Sequence, residues 1–345
     1  GYAFVSNSVI IFGCGYVGME LARRCLNLGW SVSALTRNPQ KVAEAKDLGL
    51  HTVQGSLHES GWWDQLPGDF DHVVNCVGAA SPSIDGYRDS YLNGMHSVLG
   101  WIRQNGSQVN NLVFTSSSSV YPQTDGSLVN EKSDTSGASE RGQILVNAEQ
   151  ACLHASVELA TRRSVIRFSG LYGPGRHLLV DKIRKGDPMS GCPQRILNLI
   201  HRDDAASALL AILEAEDSVD GGIFNACDGQ HATRGEISNW VADRVGVQAP
   251  EFIGASEDHG PNRRVENSKI KKVFELISKD LENIISNRTK YNPFSYLNVI
   301  ISLFKKTLSV KYPEIFYMTM TNPKIVINPN VNNNNNNNNG NCNGN

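Results

Sequence analysis

The chain has 345 residues, which is enough for one large α/β domain with an appendage or for two domains. Its 32 Lys and Arg residues nearly balance its 34 Asp and Glu residues, which gives a net charge of −2. The chain as a whole therefore has no positive electrostatic field that would attract nucleic acid or an anionic membrane. The seven cysteines show no CxxC spacing, so we expect free thiols in a reducing compartment; the nine histidines form no zinc-like cluster, so we expect no metal.

The sequence predicts a protein without a membrane-spanning segment. The longest apolar stretch of the C-terminal part, 296–304, is far shorter than the roughly 20 residues that a bilayer requires. A cytoplasmic location is the expectation. The chain begins at Gly1 rather than Met, which leaves targeting by an upstream segment open.

A short apolar run, 9–12, leads directly into the sequence Gly-Cys-Gly-Tyr-Val-Gly at residues 13–18, and an amphipathic stretch follows. A strand, a GxGxxG loop and a helix in this order predict a dinucleotide-binding loop. The first glycine permits the tight turn, the second lets the backbone approach a pyrophosphate, and the third lets the helix pack on the strand. The alternative is a glycine-rich turn that binds no ligand. The predicted cofactor contacts here are Gly13, Gly15, Tyr16, Val17 and Gly18.

Short β-like runs alternate with helical patterns along the chain. The predicted strands are Val9–Phe12, Ser31–Leu35, Thr52–Gln54, His72–Val77, Leu112–Thr115, Val165–Phe168 and Ile223–Ala226. The predicted helices are Val17–Leu28, Tyr91–Gln104, Gln143–Ala160 and Ala205–Glu216. This alternation favours an α/β fold, a Rossmann-type doubly wound parallel sheet with a small C-terminal substrate-binding portion.

The end of the second predicted strand indicates which dinucleotide is bound. Folds that select NAD place Asp or Glu here to bind the ribose 2′-hydroxyl, whereas this chain has Thr36 and Arg37. A hydroxyl and a guanidinium suit the 2′-phosphate of NADP, which a carboxylate would repel. We therefore predict NADP as the cofactor, with NAD as the alternative. A simpler interpretation is an ordinary exposed arginine in a turn.

Several later stretches form recognisable motifs: Asn75-Cys76-Val77-Gly78-Ala79, the helix asparagine Asn93, Thr115-Ser116-Ser117-Ser118-Ser119-Val120-Tyr121, Arg167 to Gly175, and Ile200-His201-Arg202-Asp203-Asp204. Together they resemble the extended short-chain dehydrogenases/reductases, the NAD-dependent epimerase/dehydratase family that acts largely on sugar nucleotides. The resemblance covers about residues 8–270. It implies further cofactor contacts from Cys76, Val77, Gly78, Thr115 and Ser116.

The resemblance also implies a catalytic Ser or Thr, Tyr and Lys, and here the chain departs from the family. Ser117 matches the hydroxyl position. Arg141 stands at the Tyr position and Leu145 at the Lys position of the family's Y-x-x-x-K motif. Arginine cannot exchange protons near neutral pH, although it can stabilise negative charge, so we predict Ser117 and Arg141 as catalytic residues of an atypical member.

Two further motifs are weaker candidates. His201 is a possible proton-transfer group, but its motif more often supports the substrate-binding portion. The pair Arg263 and Arg264 suits a substrate phosphate, and a basic surface turn is the equal alternative.

We expect four segments along the chain: an NAD(P)-binding domain at 8–176, a substrate-binding portion with returning sheet elements (including 196–226) at 177–272, a segment of atypical composition at 273–330, and a disordered Asn-rich tail at 331–345.

The predicted function is an NAD(P)-dependent oxidoreductase or epimerase-like enzyme on a polar, nucleotide-sugar-like substrate. The alternatives are a non-catalytic NADP-binding sensor or regulatory protein, and a decayed or chimeric product. The expected partners are a small-molecule substrate and a second copy in a homodimer, with no nucleic acid and no membrane.

Overall fold

The computed structural model describes residues 7–176, 178–255 and 260–277. These residues fall into two compact units. The first unit contains 7–172, 197–231 and 261–277; the second contains 173–176, 178–196, 232–255 and Gly260. The predicted segment boundaries stay predictions, and the Asn-rich tail and most of 273–330 lie outside the described residues.

A seven-stranded parallel sheet forms the centre of the first unit. Its strands are β1 (Ser8–Phe12), β2 (Ser31–Thr36), β3 (His51–Gln54), β4 (His72–Asn75), β5 (Val109–Ser117), β6 (Ala160–Phe168) and β7 (Gly222–Ala226). Their order across the sheet is β7-β6-β5-β4-β1-β2-β3, and every pairing is parallel. The order reverses at β1, which lies between β2 and β4, and ligands of such sheets bind beyond the strand ends at this point. The predicted Rossmann-type fold class is confirmed.

The described part of the chain contains nine helices. They are α1 (Tyr16–Asn27), α2 (Pro39–Asp47), α3 (Ile84–Tyr87), α4 (Gly94–Asn105), α5 (Glu140–Leu153), α6 (Leu178–Lys185), α7 (Arg202–Glu214), α8 (Arg234–Val245) and α9 (Ser268–Ile277). Of these, α6 and α8 belong to the second unit and the others to the first. A π-helical turn, Arg88–Asn93, joins α3 to α4, and short 3₁₀ turns cover Trp63–Gln65 and Ser118–Val120.

Local chemistry sets several helix starts. Asn38 precedes Pro39, and its side chain accepts a hydrogen bond from the N–H of Gln40 at 2.8 Å, which fixes the start of α2. In the second unit, Thr233 and Glu236 form a reciprocal capping box at the start of α8. Such caps satisfy N–H groups that the helix itself leaves without acceptors.

The sheet is buried on both faces because successive side chains of each strand point to opposite sides. Val9 and Ile11 of β1 belong to the apolar cluster that includes buried residues of α1 and α7. Ile10 and Phe12 belong to the other cluster, with Trp62 and residues of α4 and α5. This double burial explains why the strands read as continuous apolar runs rather than as alternating patterns.

Short two-stranded pairings complete the described structure: Gly170–Tyr172 with Leu199–His201, Leu128–Val129 with Arg264–Val265, and, in the second unit, Met189–Ser190 with Phe252–Ile253. None of the described helices has the length and apolar character needed to span a bilayer. Nor do the described residues bring together three or more His, Cys, Asp or Glu side chains that could hold a metal ion.

Two predicted helices differ from the structure. The helix predicted over 143–160 ends at Leu153, and Ala160 instead begins β6. The hydroxyl of Ser156 accepts a hydrogen bond from the N–H of Glu158, which forms a turn where helical periodicity alone would continue. The helix predicted from Tyr91 begins at Gly94, and Tyr91 lies in the π-helical turn.

Candidate active site

The glycine loop follows β1 at the point where the strand order reverses. Gly13 has φ +77°, and a Cβ there would lie 2.5 Å from the Cα of Val77. A Cβ on Gly18 would lie 2.8 Å from the carbonyl oxygen of Gly13. Both positions therefore require glycine, one for its backbone conformation and close packing, the other for packing alone.

The N-terminus of α1 is open to an anion. Gly15 is the N-cap and brings no side chain, and the first turn contains no acidic residue. The first N–H groups of a helix have no intrahelical acceptor, and the helix dipole favours negative charge beside them. Val17 and Gly18 lie in this turn, and the Tyr16 ring lies 5.6 Å from the Arg202 guanidinium carbon. The residues present thus fit the pyrophosphate of a dinucleotide.

The loop after β4 lies against the glycine loop. Asn75 is fully buried, and its Oδ1 accepts a hydrogen bond from the N–H of Val77 at 3.3 Å. Its Nδ2 has no acceptor among the described residues, so it is a buried donor beside the glycine loop. Gly78 is exposed with open space around its Cα, so this loop presents backbone rather than side chains.

The predicted contacts Cys76 and Thr115 lie next to each other. A side-chain hydrogen bond joins them, and burial raises the pKa of the Cys76 thiol far above its usual value. Burial also raises the pKa of Cys14, within the glycine loop, to about 12. Both groups are therefore neutral thiols near pH 7, and they contribute packing and weak hydrogen bonding rather than charge.

At the end of β2, Thr36 is buried and Arg37 is exposed. In the part of the chain that the structure describes, the Arg37 guanidinium has no hydrogen-bond or ion-pair partner, while its carbonyl accepts a hydrogen bond from Gln54. The cation is therefore available to a ligand at this strand end.

Ser116 and Ser117, at the end of β5, have different surroundings. The Ser116 hydroxyl is buried and donates to Oε1 of Glu149 at 2.6 Å. The Ser117 hydroxyl is partly exposed and accepts a hydrogen bond from the N–H of Ser119 at 3.1 Å, which leaves its own proton to be donated. The Ser117 hydroxyl is thus accessible at the strand end and its catalytic role stays a prediction, whereas Ser116 belongs to a buried network.

That network is centred on a bidentate ion pair. Arg167 donates from Nε and Nη2 to Glu149 at 2.9 and 2.6 Å, and the two side chains are 3% and 0% exposed. Arg167 also donates to the phenol oxygen of Tyr121 at 2.9 Å, and Tyr121 donates to Asn225 at 2.7 Å. Burial raises the pKa of Tyr121, although the neighbouring Arg167 opposes the shift. These contacts connect β5, β6, β7 and α5 beneath Ser117.

Arg141 and Leu145 lie on α5 but face different environments. Arg141 is exposed, and its guanidinium carbon lies 5.4 Å from the centroid of the Tyr87 ring. Leu145 is 2% exposed and belongs to the apolar core. Leu145, predicted to stand at the lysine position of the family motif, therefore contributes to packing.

Tyr87 connects Arg141 to the loop after β4. Its ring packs on Tyr91 at a centroid distance of 5.3 Å, and the Tyr91 phenol oxygen accepts a hydrogen bond from the N–H of Ala79 at 3.2 Å. Burial raises the pKa of Tyr91, so its phenol is protonated at neutral pH. Sequence reasoning missed this stack; the spacing of the two tyrosines, one helical turn apart, was its only signal.

The weaker candidates have structural contacts. Nδ1 of His201 accepts a hydrogen bond from the N–H of Asp203, which caps α7, and its ring packs on Tyr172. Arg263 donates to the carbonyl oxygen of Ser118 at 2.8 Å, whereas Arg264 donates to Gly126. The two arginines thus reach separate carbonyl groups, which argues against a paired phosphate clamp.

The fold, the glycine loop and the serine turn are typical of the Rossmann-type NAD-binding class that includes oxidoreductases and epimerases. The family model "NAD dependent epimerase/dehydratase family" matches residues 9–227, and the chain belongs to this family.

Relatives and solved structures agree with this assignment. The protein YeeZ of Escherichia coli (strain K12) is 27% identical over 269 residues, which cover 76% of this chain and 92% of YeeZ. MoeE5 in complex with UDP-glucuronic acid and NAD has a TM-score of 0.65 at 21% identity, covering 79% of this chain and 94% of MoeE5. UDP-glucuronic acid 4-epimerase from Bacillus cereus in complex with NAD has a TM-score of 0.65 at 16% identity, covering 79% and 94%. At these identities the solved structures support the fold.

Proposed function

We propose that this protein is an NADP-preferring oxidoreductase or epimerase-like enzyme that acts on a nucleotide-sugar-like substrate. The observation that carries the proposal is the presence of two features at the carboxyl edge of the same parallel sheet: an anion-accepting glycine loop after β1, and the Ser117 hydroxyl after β5, with β4 between these two strands. When bound, the dinucleotide supplies the hydride acceptor or donor. Solved structures of the same fold contain NAD with UDP-glucuronic acid or UDP-glucose, which suggests the substrate class.

The preference for NADP rests on Arg37. Its guanidinium is exposed and unpartnered within the described structure, and Thr36 beside it is uncharged. A charge-assisted contact to the 2′-phosphate is worth about 1.5–3 kcal/mol, which corresponds to roughly 10- to 100-fold in affinity. The NAD complexes of the structural neighbours make NAD the alternative.

Calorimetric titration with NADPH and NADH tests this preference. The unmodified protein should bind NADPH at least several-fold more tightly, and Arg37→Asp should remove or invert the difference. Lys41→Ala is a matched control on the neighbouring helix, because Lys41 already pairs with Glu44 at 2.6 Å. Equal affinities of the unmodified protein for the two dinucleotides would refute the assignment.

For the chemical step, we propose that Ser117 donates a hydrogen bond to the reacting substrate oxygen and that Arg141 provides positive charge nearby. Losing a general acid costs about 10²- to 10⁴-fold in rate, so turnover without the family's tyrosine should be slow. The buried Leu145 in place of lysine favours a second candidate, a protein that binds NADP and signals its presence without turnover.

A screen of nucleotide sugars and their keto forms separates the two candidates when it is monitored both by NADPH absorbance, for net oxidation or reduction, and by chromatography of the sugar products, for redox-neutral epimerisation. Slow turnover that falls about 10²- to 10³-fold in Ser117→Ala would support the enzyme. Ser119→Ala is the matched control, since Ser119 is an exposed serine of the same turn. Tight NADPH binding with no turnover on the whole panel would favour the sensor. Fast turnover that is indifferent to Ser117→Ala would contradict the assigned site.

A further inference from the structure

The charge predicted to stand at the family's tyrosine position makes no hydrogen bond or ion pair with the residues that the structure describes. Arg141 is exposed, and no described residue forms a hydrogen bond or ion pair with its guanidinium. Other arginines are already paired: Arg88 with Asp85 at 3.2 Å, and Arg167 with Glu149 at 2.6 Å. The N–H groups of Arg141 are therefore available to a ligand.

An aromatic support fixes the position of this guanidinium. The guanidinium lies over the Tyr87 ring, which packs on Tyr91. The Tyr91 phenol oxygen in turn accepts a hydrogen bond from the N–H of Ala79 in the loop after β4. Tyr87 directly precedes the π-helical turn Arg88–Asn93 and Tyr91 lies within it, and such turns occur frequently at functional sites. A cation held on an aromatic face loses less conformational freedom when it binds a ligand than a freely rotating one.

The start of α5, which carries Arg141, lies beside the serine turn. A Cβ on Gly142, the residue after Arg141, would be 3.6 Å from the carbonyl oxygen of Ser119. The Ser119 N–H in turn donates to Ser117. The start of α5 thus packs on the turn that holds the Ser117 hydroxyl, and Arg141 is the residue next to this contact.

We propose that Arg141, supported by Tyr87, binds a carboxylate of the substrate, which places this enzyme among those that act on acidic sugars or related hydroxy acids. The planar guanidinium fork matches a carboxylate in two parallel hydrogen bonds. One cation balances the single charge of a carboxylate, whereas a phosphate monoester carries about −1.5 to −2 at neutral pH. This inference rests on the proposed function, because it assigns the substrate class of the same site.

The first test compares UDP-glucuronic acid with UDP-glucose, which differ in having a carboxylate or a hydroxymethyl group. Titrations in the presence of saturating NADP⁺ should show about 10- to 100-fold tighter binding of the acid. Arg141→Leu should abolish this preference, Arg141→Lys should reduce it, and Tyr87→Leu should weaken it. Arg88→Leu is the matched control and should leave it unchanged. Equal binding of the two sugars, or a preference that persists in Arg141→Leu, would overturn the proposal.

A second measurement does not depend on nucleotide recognition or on turnover. Phenylglyoxal modification of Arg141, followed by mass spectrometry at equal ionic strength, should be slowed by D-glucuronate and not by D-glucose. If neither UDP sugar binds but D-glucuronate protects Arg141, the nucleotide-sugar part of the proposed function fails while the carboxylate site stands. Absence of protection by D-glucuronate, or protection by glucose 6-phosphate alone, would overturn the carboxylate site. Unchanged NADPH affinity and melting temperature of Arg141→Leu would show that the variant is folded.

Discussion

Removing one partner of the buried pair between Arg167 and Glu149 should strongly destabilise the fold. Glu149 is fully buried and accepts three hydrogen bonds, two from Arg167 and one from Ser116. Arg167→Met would leave its carboxylate with Ser116 alone. Breaking such a pair typically costs about 3–5 kcal/mol, because an uncompensated charge remains buried. The phenol of Tyr121 would also lose a donor.

Urea unfolding, followed by circular dichroism, measures this cost. The single variants Arg167→Met and Glu149→Leu should each lower the free energy of unfolding by about 3–5 kcal/mol, while the double variant should cost far less than their sum. Ser116→Ala should cost about 1 kcal/mol and serves as the measure of one hydrogen bond in the same network. A cost below about 1 kcal/mol for Arg167→Met, or an additive double variant, would refute the reasoning.

Three further predictions concern stability and cofactor binding. Burial lowers the pKa of His72 from 6.5 to about 4, so the stability that the neutral imidazole contributes is complete above pH 6.5 and is lost as the pH falls towards 4, by up to about 1.4 kcal/mol per pH unit. Urea unfolding at pH 7, 5 and 4 should therefore show a smaller loss of stability in His72→Phe than in the unmodified protein, and an identical loss would contradict this. Gly13→Ala should abolish NADPH binding in calorimetry, because its Cβ would lie 2.5 Å from the Cα of Val77. Gly29→Ala is the control: Gly29 has the same φ of +77° but no atom within 4 Å of a Cβ, so this variant should lose about 1–2 kcal/mol of stability and retain binding. Retained binding by Gly13→Ala would contradict the loop assignment. Leu145→Lys should destabilise the protein by several kcal/mol rather than restore catalysis, because the side chain is buried in the apolar core; a stable variant with faster NADPH oxidation would contradict that placement.

The sequence was sufficient to predict the sheet and the cofactor loop because both depend on local patterns. Each of the seven predicted strands overlaps a strand of the central sheet. The glycine loop was recognisable because its backbone conformation and close packing restrict Gly13 and Gly18 to one residue type. Boundaries failed where side-chain hydrogen bonds compete with periodicity, as at Ser156, and where a π-helical turn changes the register before Gly94.

The contacts beneath and beside the site could not be predicted because their partners are distant in sequence. Glu149 and Arg167 are 18 residues apart on different elements, and Tyr121 meets Asn225 across 104 residues. No spacing rule marks a buried carboxylate that needs a cation. The sequence likewise predicted that the family's catalytic Tyr and Lys are replaced. It could not predict that the Arg141 guanidinium lies over the Tyr87 ring, because this contact depends on how α5 packs against the π-helical turn.

We propose that the dinucleotide binds on the glycine loop, with its 2′-phosphate at Arg37 and its nicotinamide end towards Ser117. A crystal structure of the protein with NADP⁺ tests it most directly. We predict the pyrophosphate on the first-turn N–H groups of α1, the 2′-phosphate in hydrogen bonds with Arg37, and the nicotinamide beside the serine turn. A 2′-phosphate that leaves Arg37 without contact, or a dinucleotide bound away from Gly13–Gly18, would contradict the account.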